Sequence, residues 1–147
     1  MIKRFLQVSI AVQDLDAAIE KYSNVLGTTP TFVKPEAVMF PGVKAAVFLV
    51  GDVAITLIAS ERDDSLVAEV LKTRGEGIFL MCFEVSDVEQ HMKELVERGV
   101  RFLKDQPSPY PTGNGKSNYG LPDSLHGVYV GFAQFWGEGP GALLVKD

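Results

Sequence analysis

An internal repeat at an offset of 73 residues constrains this chain more than any other feature. Gln7 matches Leu80, Ile10 matches Phe83, Val12 matches Val85, Asp14 matches Asp87, Leu15 matches Val88, Ile19 matches Met92 and Tyr22 matches Leu95. In each copy the hydrophobic period changes partway. Leu6, Val8, Ile10 and Val12 alternate with Gln7, Ser9 and Ala11, the period of two of a half-buried strand. Asp14 then supplies an N-cap, and Leu15, Ala18, Ile19, Tyr22 and Leu26 follow at helical spacing until Gly27. The second copy repeats this grammar and ends at Gly99. Further strand-like runs follow each copy: Val43–Val50 and Val53–Ile58 in the first half, Val100–Lys104 and Val128–Phe135 in the second. A strand-helix-strand-strand-strand unit stated twice predicts an α+β fold, each half an antiparallel sheet with a helix on one face. The faces opposite the helices then line a central concavity, where chemistry is expected.

The boundaries follow from the same pattern. Module one spans about 5–60, a connecting helix 65–74, module two about 77–136 and a tail 137–147. The connector carries Leu66, Val67, Val70 and Leu71 at helical spacing and ends before Gly75 and Gly77. A chain of 147 residues has the length of a single domain, and the two modules are read as its halves. The stretch Asp105 to Gly127 holds four of the eight prolines and four of the fourteen glycines, and is expected to be a long loop. It is either a flap near a ligand site or an ordinary surface excursion.

Composition excludes several classes. Fourteen Lys and Arg against nineteen Asp and Glu leave a net charge of −5, which disfavours electrostatic binding to nucleic acid. The apolar stretch Val43 to Ile58 is broken by Lys44, Gly51 and Asp52, so it is no membrane span. The start, Met1-Ile2-Lys3-Arg4-Phe5 followed by a strand, is unlike a secretory signal, and a cytoplasmic location is expected. One cysteine, Cys82, and two histidines, His91 and His126, cannot fill a usual zinc site.

Several runs carry a resemblance to a known family. These are Val8 to Leu26 with Asp14-Leu15, Gly42-Val43-Lys44-Ala45-Ala46, Val50-Gly51-Asp52, Arg74-Gly75-Glu76-Gly77-Ile78, Phe83-Glu84-Val85, Pro122-Asp123-Ser124 and Gly127-Val128. In this order and spacing the chain resembles the vicinal oxygen chelate superfamily, with its glyoxalase and bleomycin-resistance branches, and within it the methylmalonyl-CoA epimerase family. The resemblance implies two paired βαβββ modules forming a half-open barrel around a central cavity, with a metal at its centre. It places the four metal positions at Gln7, Thr56, Leu80 and Gly131. A neutral carbonyl, a hydroxyl, a hydrocarbon chain and a missing side chain do not make a divalent-cation site, so neither a metal nor another cofactor is expected.

The inward face then presents Gln7, Ser9, Ala54, Thr56, Ile58, Leu80, Cys82, Tyr129, Gly131 and Ala133, apolar with a few neutral hydrogen-bonding groups. Gln7, Ser9, Thr56, Leu80, Cys82, Tyr129 and Gly131 are the candidate ligand-binding residues. Glu84 shares this face and is a weak candidate for a catalytic base, against the alternative of a strand-end carboxylate in water. Cys82 reads as a buried structural thiol in the absence of an activating neighbour. His91 points away from the cavity if the repeat holds, whereas His126 sits beside Gly127. Lys44 reads as a solvated edge residue, and Lys116 in a glycine-rich turn is a possible partner of an acidic ligand. These readings favour a metal-independent protein that binds a small organic molecule as a homodimer, without nucleic acid or membrane. The alternatives are a divergent isomerase or lyase acting on an acyl-CoA or related organic acid, and an interaction module filled by its own residues. Trp136, in the apolar run from Phe132 to Leu144, is a candidate for the dimer surface.

Overall fold

The structure, a computed structural model, describes residues 1–34, 40–137 and 139. Most of the tail 137–147 lies outside them. The repeat is realised as two runs of one element order. The first is β1 (Ile2–Ala11), α1 (Leu15–Leu26), β2 (Thr31–Phe32), β3 (Val43–Val50) and β4 (Val53–Ser60). Helix α2 (Leu66–Thr73) follows, and the second run is β5 (Gly77–Val85), α3 (Val88–Glu97), β6 (Ser108–Pro109), β7 (Gly115–Gly120) and β8 (Tyr129–Phe135). The fold is therefore α+β with a repeated βαβββ order. The described residues group into two compact units, Val8–Phe79 and Met1–Gln7 with Leu80–Gly137, so that the division falls within β1 and β5.

Matching residues start the repeated helices. The Asp14 carboxylate accepts from the Ala17 amide at 3.0 Å, and Asp87 accepts from Gln90 at the same distance. Each satisfies an amide that the first helical turn leaves without a partner. Gly27 closes α1 with φ +67°, a left-handed conformation in which glycine has no Cβ penalty. Ser65 caps α2 through the Ala68 amide at 2.9 Å.

In the unit Val8–Phe79, β3 and β4 form an antiparallel hairpin in which Val43 faces Ser60 and Val50 faces Val53, and β2 extends it beyond β3. The Val12 amide donates to the Ile58 carbonyl at 2.9 Å, tying the end of β1 to β4. Alternation decides the faces. Val12, Ala46, Phe48, Leu57 and Ala59 bury with Leu15 under α1, leaving Ser9, Thr56 and Ile58 on the other side.

In the other unit the order is β5, β8, β7, β6. Val85, Val130 and Phe132 pack under α3 with Val88 and Met92. Strands β7 and β8 are antiparallel, but β5 and β8 are parallel, which corrects the expectation of a purely antiparallel sheet. The long connection through α3, β6 and β7 allows the chain to return in the same direction.

The second half also differs from expectation where it was read as loop. Gly115–Gly120 is a buried strand, whereas Val100–Lys104, expected as a strand, contributes only a bridge from Phe102 to Gly120. Gly, Asn and Ser have poor strand propensity, and β7 is held instead by its ladder to β8 and by side-chain bonds. The Asn118 amide donates to the Lys104 carbonyl at 2.7 Å, which ties the irregular segment to the strand.

Candidate functional site

The face of β5, β8 and β7 that α3 leaves uncovered is built by register. Leu80 lies opposite Tyr129, and Cys82 lies opposite Gly131. Tyr119 lies opposite Gly131 from the other side, and Ser117 opposite Ala133. The candidate residues Leu80, Cys82, Tyr129 and Gly131 are thereby brought onto one face, with Leu80 and Cys82 buried. Gln7, half-buried on β1, belongs to the same unit. Ser9 and Thr56 are buried in the other unit, on the face of β1 and β4 opposite the α1 core.

The absence of a side chain at Gly131 is used. A Cβ there would stand 2.8 Å from Cε1 of Tyr119, 2.9 Å from its Cδ1 and 3.0 Å from Sγ of Cys82. The Tyr119 ring therefore lies over Gly131. Gly115, on β7, answers a different need: a Cβ would stand 2.5 Å from the Gln134 carbonyl oxygen and 2.8 Å from Cδ1 of Phe135, with Cδ2 of Tyr110 further off at 3.3 Å. Tyr110 and Phe135 stack at 5.3 Å between ring centroids. Gly131 thus clears the face for the Tyr119 ring, and Gly115 lets β7 approach the backbone and the Phe135 ring of β8.

The groups around these rings are neutral. Burial pushes the Cys82 thiol up to about 12, so it is not a nucleophile near neutral pH. Burial also holds both phenols above their ordinary range, and the neighbouring Cys82 adds to this. The Ser117 hydroxyl lies beside both phenols and favours their ionised forms, without prevailing over burial. Ser117 is buried, and the two phenols also hydrogen-bond each other.

Glu84 does not point to water. It is buried, with Oε2 accepting from Arg4 Nε at 2.5 Å and Oε1 facing Lys3 Nζ at 3.4 Å. Both carboxylate oxygens of Glu84 are thus engaged by cations of β1, and neither is turned to a ligand as placed. Lys116 is paired with Glu89 on α3 rather than turned to an acidic ligand. Lys44 is exposed, as a solvated edge residue should be. His91 packs its ring on Phe132 at 4.6 Å, on the α3 side, and His126 is exposed with φ +57°.

Of the four positions that the resemblance assigns to a metal, Leu80 and Gly131 carry no side-chain donor. Leu80 is buried hydrocarbon, and the space over Gly131 belongs to Tyr119 and Cys82. Among the described residues no three His, Cys, Asp or Glu side chains are grouped to hold a metal ion. Tyr110, Ser117 and Tyr119 sit in the proline-rich stretch, whose composition hides a strand face. The spacing Gly115-x-Ser117-x-Tyr119 was the only local sign of a strand face.

The repeated βαβββ order agrees with comparison to known proteins. The Glyoxalase/Bleomycin resistance protein/Dioxygenase superfamily model matches residues 6–119, and the chain belongs to this superfamily. Its relatives include epimerases. The ethylmalonyl-CoA/methylmalonyl-CoA epimerase of Cereibacter sphaeroides is 34% identical over 104 residues, covering 70% of this chain and 76% of that protein. Human mitochondrial methylmalonyl-CoA epimerase is 30% identical over 106 residues, covering 70% of this chain but 58% of that protein. Among solved structures, a Streptomyces coelicolor methylmalonyl-CoA epimerase in complex with 2-nitronate-propionyl-CoA matches with a TM-score of 0.77 and 28% identity over 92% of this chain and 96% of that one. A hypothetical protein from Bacillus halodurans matches with a TM-score of 0.78 and 26% identity over the same shares of the two chains.

Proposed function

We propose that this chain is a metal-independent small-molecule-binding member of the superfamily, and that its ligand is an acyl-CoA or related organic acid derivative. The observation that carries this reading is the Tyr119 ring seated on Gly131 beside the Cys82 thiol. A carboxylate at that position has no room, so a cation there would lack an anionic ligand. The ligand class comes from relatives described as epimerases of acyl-CoA esters and from a complex with 2-nitronate-propionyl-CoA. Gln7, Ser9, Thr56, Leu80, Cys82, Tyr129 and Gly131 are proposed to contact the ligand within a single domain. The reading includes a cytoplasmic homodimer, for which the half-exposed Trp136 offers apolar surface.

Metal analysis of the purified protein tests the first part. Metal well below one equivalent per chain is expected, even after incubation with cobalt or manganese, and tight stoichiometric metal would overturn the reading. A second reading, proton transfer on an acyl thioester by side chains alone, is favoured by the epimerase relatives. It requires exchange of solvent deuterium into the carbon next to the thioester carbonyl of methylmalonyl-CoA. Absence of exchange leaves binding as the function.

A further inference from the structure

In the unit Val8–Phe79, the turn from the end of β4 to the start of α2 is held by local bonds. The Ser60 hydroxyl accepts from the Arg62 amide at 3.2 Å and meets the Ser65 hydroxyl at 2.5 Å, while the Glu61 amide donates to the Gly42 carbonyl at 2.8 Å. The Arg62 side chain lies across Gly42, where a Cβ would stand 2.6 Å from its Cδ. Beside this turn is a cleft of about 320 Å³, large enough for a small organic molecule. Buried Ala68 and half-buried Leu71 and Ser60 form its base. Its rim is exposed and carries Gln13, Glu61, Arg62, Asp63 and Lys72.

The charges of this rim are only partly matched. Arg62 pairs through Nε with Asp64 at 2.6 Å, and Lys72 Nζ donates to the backbone carbonyl of Asp63 at 3.0 Å. An ammonium has donors to spare after one such bond. Among the described residues Lys72 has no carboxylate partner, and the side chains of Gln13, Glu61 and Asp63 have none of any kind. An anion that approaches Lys72 therefore meets Glu61 and Asp63, and a cation that approaches those carboxylates meets Lys72 and Arg62. An ion of one sign is opposed by half of the rim, whereas a ligand that carries both signs is opposed by neither half. The contact of Lys72 with Asp63 sets the two signs side by side, the spacing of an α-amino acid rather than of a long zwitterion.

We infer that this cleft is a binding site for a free α-amino acid with an apolar side chain. Lys72 takes the carboxylate, Glu61 and Asp63 take the ammonium, and Leu71 and Ala68 take the side chain. The Gln13 carboxamide, donor and acceptor at once, serves either pole.

The test is an amide NMR titration of the full nitrogen-labelled chain with three probes. These are L-leucine, isocaproate, which lacks the ammonium, and isoamylamine, which lacks the carboxylate. Leucine is expected to give saturable shifts at Gln13 and within residues 61–72, and to bind at least about tenfold more tightly than either single-charge probe. Lys72→Gln should weaken leucine about tenfold and leave isoamylamine no weaker. Glu61→Gln combined with Asp63→Asn should weaken leucine by a similar factor and leave isocaproate no weaker. All three positions are exposed, and the unmoved remainder of the spectrum reports that each variant is folded. The inference is overturned if leucine gives no saturable shifts at the cleft, if its affinity does not exceed that of both other probes, or if its binding survives both sets of substitutions. Each of these results leaves the acyl-CoA reading standing, since that reading uses other residues.

Discussion

His91 joins its environment to the pH dependence of folding. Its ring is tilted against Phe132 at 4.6 Å, and partial burial lowers its pKa below the ordinary 6.5. In the window below 6.5 the unfolded chain binds a proton that the folded chain resists, so folded stability rises with pH there. The contribution is complete above 6.5 and is lost as pH falls through the lowered value. Chemical denaturation at a series of pH values between 7.5 and 5, about a unit either side of the ordinary histidine range, should show stability declining on acidification. The slope should be shallower in His91→Gln, and an identical slope in the variant would exclude His91 as its source. That His91 lies on the α3 side of the sheet, away from the face with Leu80 and Cys82, was legible, because Ala18 occupies the matching position of the first helix. The partners of Glu84 were not legible: Lys3 and Arg4 are about 80 residues away along the chain, and no local pattern pairs them.

Strand β7 shows how far an element can depart from its own propensities. Gly115, Ser117, Asn118 and Gly120 favour turns, yet all are buried in a strand whose partner β8 is rich in apolar side chains. Gly115, which reads as loop, is the condition for close approach to the Gln134 carbonyl and the Phe135 ring of β8. Gly131 on β8 is the corresponding condition for Tyr119. Gly131→Glu is therefore expected to destabilise the protein by about 2 kcal/mol through overpacking, measured by denaturant titration. The same variant should gain no stoichiometric metal, because Tyr119 and Cys82 hold the place of the new side chain. A neutral effect on stability, or restored metal binding, would show that the ring gives way. The helix caps present the opposite case. Asp14 and Asp87 could be read directly, since an N-cap acts on amides only three residues away.

The repeated element order has an energetic counterpart in two buried clusters that share no residue, one under α1 and one under α3. Val12 belongs to the first and Val88 to the second, both buried. Val12→Ala and Val88→Ala should each cost about 2 kcal/mol, from two lost methyl groups and the void they leave. In the double variant the losses should add to within about 0.5 kcal/mol. A larger deviation in denaturant midpoints would reveal coupling between the clusters. The sequence by itself determined the α+β class, the repeated βαβββ order, the three helices with their caps and the strand faces that meet α1 and α3. These depend on hydrophobic period and on contacts within a few residues, which a linear reading captures. Only the tertiary structure decided that β7 is a strand, that β5 and β8 run parallel, that Glu84 is paired, and that the Tyr119 ring lies over Gly131. Those outcomes depend on which distant segments share a ladder, and burial against such partners outweighs the local preferences that the sequence displays.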